Sequence, residues 1–260
     1  MTKDRSVFRW GGLSSRQFCF RLLAFLLFFL FWDNLPIINA GSEPRQAMLS
    51  LQVNDLGDAS DSNIGDGICQ TAGGVCTLRA AMEEVMVASG SHTITINVSG
   101  TIQLFSALPV ITNNSGLTDI SISGISASSS IIRRDTGGAY QIFNISPTFP
   151  GAMSVTIAEL TISNGASTVS GGGIYSLFSD LTINGVSFTG NNSPNGSALY
   201  VGGANVTITN STFSSNTGAG AAIAYDTLTP QSFSLSNSTV SGNSAFGVRL
   251  GLGTSGSAEI

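Results

Sequence analysis

From His92 onward the chain alternates apolar with small polar residues. H-T-I-T-I-N-V-S from His92 sets the pattern, and D-I-S-I-S from Asp119, Y-Q-I-F-N-I from Tyr140 and S-V-T-I-A from Ser154 repeat it. A period of two marks a strand with one buried face. Gly, Asn and Ser-Gly pairs separate these runs, and no segment of helical period intervenes. Three later stretches repeat one another: G-G-G-I-Y-S…L-T-I-N-G-V-S-F-T-G-N from Gly171, G-S-A-L-Y-V…V-T-I-T-N-S-T-F-S-S-N from Gly196, and G-A-A-I-A-Y…F-S-L-S-N-S-T-V-S-G-N from Gly220. Phe188, Phe213 and Val240 recur about every 25 residues, and Asn191, Asn216 and Asn243 follow them by three positions.

A fixed period of this length is the mark of a solenoid, whose units bury their apolar faces only against neighbours. Short strands joined by turns predict an all-β chain, a right-handed parallel β-helix of the pectate-lyase-like kind. Residues 92–260 supply roughly six or seven coils, a stack of about 30 Å at one strand spacing per coil. The repeat positions then acquire structural roles. Ile174, Leu199 and Ile223 stack in the interior on one strand, Ile183, Ile208 and Leu235 on another, and Phe188, Phe213 and Val240 form an apolar column. Asn191, Asn216 and Asn243 are read as structural turn residues, tolerant of left-handed backbone and able to ladder through their amides.

Residues 41–91 break this pattern. An acidic, Gly-rich stretch, N-D-L-G-D-A-S-D-S-N-I-G-D-G from Asn54, precedes the only helical period in the chain. Thr77 is a good N-cap. Leu78, Ala81, Met82 and Val85 form one apolar stripe, with Glu83 and Glu84 turned away and Gly90 as the stop. The segment reads as an N-terminal cap, with its helix laid over the open first coil.

Residues 1–40 read as a signal peptide. Arg5, Arg9, Arg16 and Arg21 form a basic leader, Leu22 to Trp32 is an apolar run, and Ala40 precedes Gly41 as a cleavage point. Eleven apolar residues are fewer than the roughly 20 that a membrane-spanning helix needs. After Ala40 the chain carries five arginines against thirteen acids, a balance of about −8, and its one lysine, Lys3, lies in the leader. A nucleic-acid partner needs a basic face, so that class is excluded. Export agrees with the even pair Cys69 and Cys76, read as a disulfide.

V-N-D-L-G-D…D-G-I-C-Q…V-C-T-L-R-A-A-M-E-E resembles the CSLREA domain through Asp66, Gly67, Cys69, Cys76, Leu78, Arg79, Ala81 and Met82. Thr77 stands where the family has Ser, and Ala80 where it has Glu. The G-G-G-I-Y and F-x-x-N repeats resemble those of polymorphic outer-membrane proteins. The resemblance implies an exported β-helix of a bacterial surface or outer membrane, adhesin-like or structural, with host or neighbouring-cell glycans or proteins as partners.

No catalytic, cofactor or metal site emerges as the leading reading. Ser–His–Asp and metal-ligand spacings are missing from the sequence. The rival reading is a polysaccharide lyase or hydrolase. Asp180 and Asp226 could approach one another on neighbouring coils, and Arg133-Arg134-Asp135, read as a loop, is the best lyase-type cluster. His92 opens a strand with no evident partner. Asp55, Asp58, Asp61, Asn63 and Asp66 offer oxygen ligands of the kind Ca²⁺ takes. A third reading is a non-catalytic glycan-binding module using Tyr140, Tyr175, Tyr200 or Tyr225, the last two at related strand positions. The final ten residues carry no cap, barrel or sorting signal, and the chain reads as a candidate fragment of a longer protein.

Overall fold

The parallel pairing of short strands, one coil apart in sequence, builds three sheets. A computed structural model describes residues 48–135, 137–148, 153–227, 231–251 and 257–259. The signal-peptide expectation for residues 1–40 lies outside them. Sheet 1 runs, in order, Ser50–Val53, Gly90–Ile96, Leu117–Ser123, Ser154–Ala158, Asp180–Asn184, Val206–Thr209, Ser232–Ser236 and Ser257–Glu259. Sheet 2 runs Gly100–Leu104, Ser130–Arg134, Thr161–Ser163, Ser187–Thr189, Thr212–Ser214 and Thr239–Ser241. Sheet 3 runs Phe143–Ile145, Ile174–Leu177, Leu199–Gly202, Ala221–Asp226 and Phe246–Gly251. The result is a parallel β-solenoid of about six turns, an arrangement that fits the right-handed parallel β-helix.

The stacking follows the repeat. Ile174, Leu199 and Ile223 are register partners in sheet 3, and Ile183, Ile208 and Leu235 in sheet 1. Phe188 pairs with Phe213 and Phe213 with Val240 in sheet 2, and the two rings stack with centroids 4.6 Å apart and planes 6° from parallel. These side chains are buried in one continuous core, except Val240, which is half-buried and packs against it. Each removal of such a side chain from water stabilises by roughly 1.5–3 kcal/mol.

The turns differ in one respect from expectation. Asn191, Asn216 and Asn243 are not the left-handed residues. That conformation falls one position earlier, at Gly190 (φ 66°), Ser215 (φ 55°) and Gly242 (φ 62°). A second left-handed column, Glu159, Gly185, Asn210 and Asn237, turns the chain from sheet 1 to sheet 2. The asparagines work through their side chains instead, as described below.

The N-terminal segment joins the solenoid. Ser50–Val53 pairs in parallel with Gly90–Ile96 as the first strand of sheet 1. The helix spans Leu78–Val87, and the Thr77 hydroxyl accepts from the Ala80 N–H at its N-cap. Leu78, Ala81, Met82 and Val85 enter the same core as the coils. Two expectations are corrected here. Glu84 does not face away: it is 1% exposed, because its carboxylate accepts from the N–H groups of Gly65 and Gly67 at 2.6 and 2.7 Å. Gly90 does not stop the helix, which ends at Val87 with the Ala88 N–H turned to the Val85 carbonyl. Gly90 opens the next strand at φ 97°.

Candidate functional site

The charged side chains of the cap hold the cap together. Arg79 is buried, and its guanidinium meets Asp58 in two bonds, Nε to Oδ1 at 3.0 Å and Nη2 to Oδ2 at 2.9 Å. Its remaining donors go to the carbonyls of Ser106 and Ala107. Cys69 and Cys76 are joined as a disulfide with Cα atoms 5.1 Å apart. Ala80, where the resemblance has Glu, is buried in the helix, and the partner of Arg79 comes from the acidic stretch.

Apart from Asp58, the acidic stretch turns its oxygens on nearby backbone N–H groups and on the Asn63 amide. Asp55 accepts from Gly57, Asp61 from Asn63 and Gln70, and Asp66 from Ile68 and the Asn63 amide. Among the described residues, no three His, Cys, Asp or Glu side chains converge as a metal site. A cavity of about 150 Å³ lies between the helix and this loop, lined by Leu49, Gly65, Asp66, Gly67, Glu84 and Val87. The Glu84 carboxylate at its wall is already bonded to the two glycine N–H groups.

His92 has a partner that the sequence did not suggest. It is buried, and its Nδ1 accepts from the Leu49 N–H at 3.0 Å, tying the chain at the first strand to the second. Burial holds its pKa below 6.5, partly opposed by the carbonyls of Ser89 and Ala88.

On the coils, Asp180 and Asp226 belong to different sheets and each has its own partners. Asp180 opens a strand of sheet 1 and accepts from the backbone and side-chain amides of Asn205. Asp226 ends a strand of sheet 3 and is held by Arg249, with Nη1 to Oδ1 at 2.8 Å and Nη2 to Oδ2 at 2.7 Å. Arg249 Nη2 also reaches Asn195. Arg133 and Arg134 lie in the strand Ser130–Arg134 and not in a loop, because Ile132 and Ser130 bury the inward face of an alternating run. Arg134 donates to the carbonyls of Asn164 and Gly138 and lies over the Tyr140 ring, whereas Arg133 is exposed on the outer face.

The tyrosines separate into two kinds. Tyr225 is fully buried and Tyr140 nearly so. Tyr175 and Tyr200 are half-buried register partners on the outer face of sheet 3, stacked with centroids 5.4 Å apart. The expected relation of Tyr200 to Tyr225 is therefore corrected: Tyr200 is opposite Ala224, and Tyr225 is opposite Val201 in the interior. Repeat alignment missed it because the two tyrosines differ by one residue in register, which flips the side chain to the other face.

Tyr175, Tyr200, Asn195, Asp226 and Arg249 thus form one linked polar and aromatic group on the coils. Burial, with the nearby Asp226 carboxylate, raises the Tyr200 pKa, so its phenol stays protonated at neutral pH. Hydrogen bonding to Asp226 raises that of Arg249. The group offers hydrogen bonds and a ring edge, with its base locked to its acid.

Asn191, Asn216 and Asn243 form a ladder in the turn after sheet 2. Nδ2 of Asn191 donates to Oδ1 of Asn216, and Nδ2 of Asn216 to Oδ1 of Asn243, each at 3.0 Å. Each amide also donates to a carbonyl of the preceding coil, at Ile162, Phe188 and Phe213. Asn191 and Asn216 are fully buried, which leaves them no access to a ligand. No protein-family model, curated protein or solved structure matches the chain.

Proposed function

We propose that this protein is an exported surface protein, adhesin-like or structural, whose β-helix presents polar faces and does no catalysis. The observation that supports the reading is the pairing of Arg249 with Asp226: the acid and base closest to the outer tyrosines hold one another. The resemblance of the Cys69–Met82 segment to the CSLREA domain supports a bacterial surface or outer-membrane location. In this reading, surface glycans or proteins of other cells are the partners. Surface labelling of intact producing cells with an antibody to the coils tests it; signal only after lysis would count against export.

One observation favours a second reading, a polysaccharide lyase. Arg133 is an exposed base on the outer face of sheet 2, set between Gln103 and Ser163. Release of unsaturated sugars from pectin-like polymers, abolished by Arg133→Ala, would establish that activity and overturn the non-catalytic one. A glycan-binding module without turnover rests on Tyr175 and Tyr200. Retention on immobilised glycans that Tyr200→Ala abolishes would select it.

A further inference from the structure

One outward column of sheet 1 has an unusual composition. Thr93, Ser121, Thr156, Thr182, Thr207 and Ser234 are direct register partners across six consecutive strands. The one register shift in this part of the sheet lies before Thr93, between Gly90 and Ser91. On the inner side of the same strands, Ile94, Ile122, Ile157, Ile183, Ile208 and Leu235 form the matching core column, which fixes the position of each hydroxyl-bearing residue.

The column differs from its neighbour in how its hydroxyls are used. Two positions earlier on the same strands, side chains bond to one another: Ser91 and Ser154 donate to Asp119, and Asn205 donates to Asp180. The hydroxyls of the Thr93–Ser234 column have no intramolecular partner among the described residues, and all six remain at least partly exposed. These six positions carry no charge and no aromatic ring, whereas the next register partner of Ser234 is the exposed Glu259, and Asp119 and Asp180 lie two positions earlier on the same face. The next rank on the same face runs Thr95, Ser123, Ala158, Asn184, Thr209 and Ser236, and within it the Thr209 hydroxyl donates to Asn184.

The spacing is set by the sheet. Rows repeat at about 4.8 Å from strand to strand, and the two ranks lie about 6.7 Å apart along each strand. A ligand that uses this hydroxyl column must itself be rich in oxygen and periodic along the stack of coils. A single sugar chain would call on aromatic stacking, which this face lacks, and a second protein copy would call on an apolar centre. Ice meets the description. Its water is already ordered, so each hydroxyl–water bond avoids the entropy cost, up to about 2 kcal/mol, of immobilising a liquid water molecule. Weak contacts repeated along a rigid array add up in the way of multivalent binding.

We propose that the outer face of sheet 1 binds ice through the Thr93–Ser234 hydroxyl array. This goes beyond the surface reading above, and its test does not depend on export. The full chain is cooled with seeded ice, and crystal habit and recrystallisation are followed by microscopy. The wild type should facet the crystals and arrest recrystallisation. The pair Thr182→Lys and Thr207→Lys, both at exposed positions, should lose this effect with an unchanged circular dichroism spectrum; either single variant serves if the pair unfolds. Thr212→Lys, exposed on sheet 2, should retain the effect. Unshaped ice with the wild type, or full activity in the lysine variants, would overturn the proposal. So would retention on insoluble cellulose or chitin without any effect on ice.

Discussion

Asn191 donates a side-chain N–H to the Oδ1 of Asn216 at 3.0 Å, and both residues are fully buried. The same oxygen accepts the Asn191 backbone N–H, while the Asn216 amide satisfies the carbonyl of Phe188. Asn216→Leu keeps the branching of the side chain and removes these three bonds together with the one to Asn243 Oδ1. Each buried group left unpaired costs about 1–3 kcal/mol. Equilibrium denaturation should therefore show a loss of several kcal/mol. A change within experimental error would mean that water replaces the ladder.

The left-handed turn positions separate backbone strain from packing. A Cβ at Gly190 would meet nothing within 4 Å, so Gly190→Ala tests φ alone. It should destabilise by roughly 1–2 kcal/mol, the cost of the left-handed conformation for a residue with a Cβ. Ser215, at φ 55° in the equivalent turn, already bears that cost. Ser215→Gly should shift the melting temperature in the opposite direction to Gly190→Ala, and shifts of the same sign would show that φ does not control these turns.

Arg79 and Asp58 form an ion pair with side chains 10% and 3% exposed. Arg79→Ala leaves the Asp58 carboxylate buried with only the Phe105 N–H as a strong donor. Loss of one partner of such a pair costs about 3–5 kcal/mol. Urea titration should place the variant's midpoint well below that of the wild type. Reduction of Cys69–Cys76 should cost less, about 2–3 kcal/mol for so short a loop. If reduction proved the more damaging of the two, the disulfide and not the ion pair would be what holds the cap.

Burial lowers the pKa of His92 from 6.5, and its neutral Nδ1 accepts from Leu49. Below pH 6.5 the unfolded imidazole takes up a proton that the folded one resists, so folding stability falls as pH drops through this range and is fully present above it. Asp119 contributes a separate phase. Hydrogen bonds from Ser154 and Ser91 lower its pKa below 3.8, so its contribution is lost only at more acid pH. Melting temperatures between pH 4 and pH 7 (a working range of roughly three units around the histidine titration) should decline on acidification in the wild type. His92→Gln should flatten that decline; an equal slope in both would assign it to other groups.

The fold was legible because a β-helix writes its register into the sequence. Each coil must place an apolar residue on the last one, so Ile183, Ile208 and Leu235 recur at the coil period whatever lies between them. The Thr77 cap and the Leu78–Val85 stripe were legible for the same local reason. The turns were misread by one residue, since Gly190, Ser215 and Gly242 share a φ angle and not a side chain. The polar groups were harder still. Glu84 lies on the charged side of the helical wheel and is buried, because a loop nearly 20 positions earlier turns two N–H groups onto it.

The sequence by itself determined the periodicity, the inward-facing columns and the scarcity of ionisable side chains on the coils. Those depend on spacing along one chain. The tertiary structure decided the partners: Asp58 for Arg79, Leu49 for His92, Arg249 for Asp226, and Tyr175 opposite Tyr200. Each of these contacts joins residues more than 20 positions apart in sequence, within the cap, between the cap and a coil, or between coils, and a one-residue change in register reverses the face on which a side chain lies. The free hydroxyl column of sheet 1 belongs to both. Its residues are spelled out in every repeat, but only the stacked sheet shows that they align and that their neighbours are bonded while they are not.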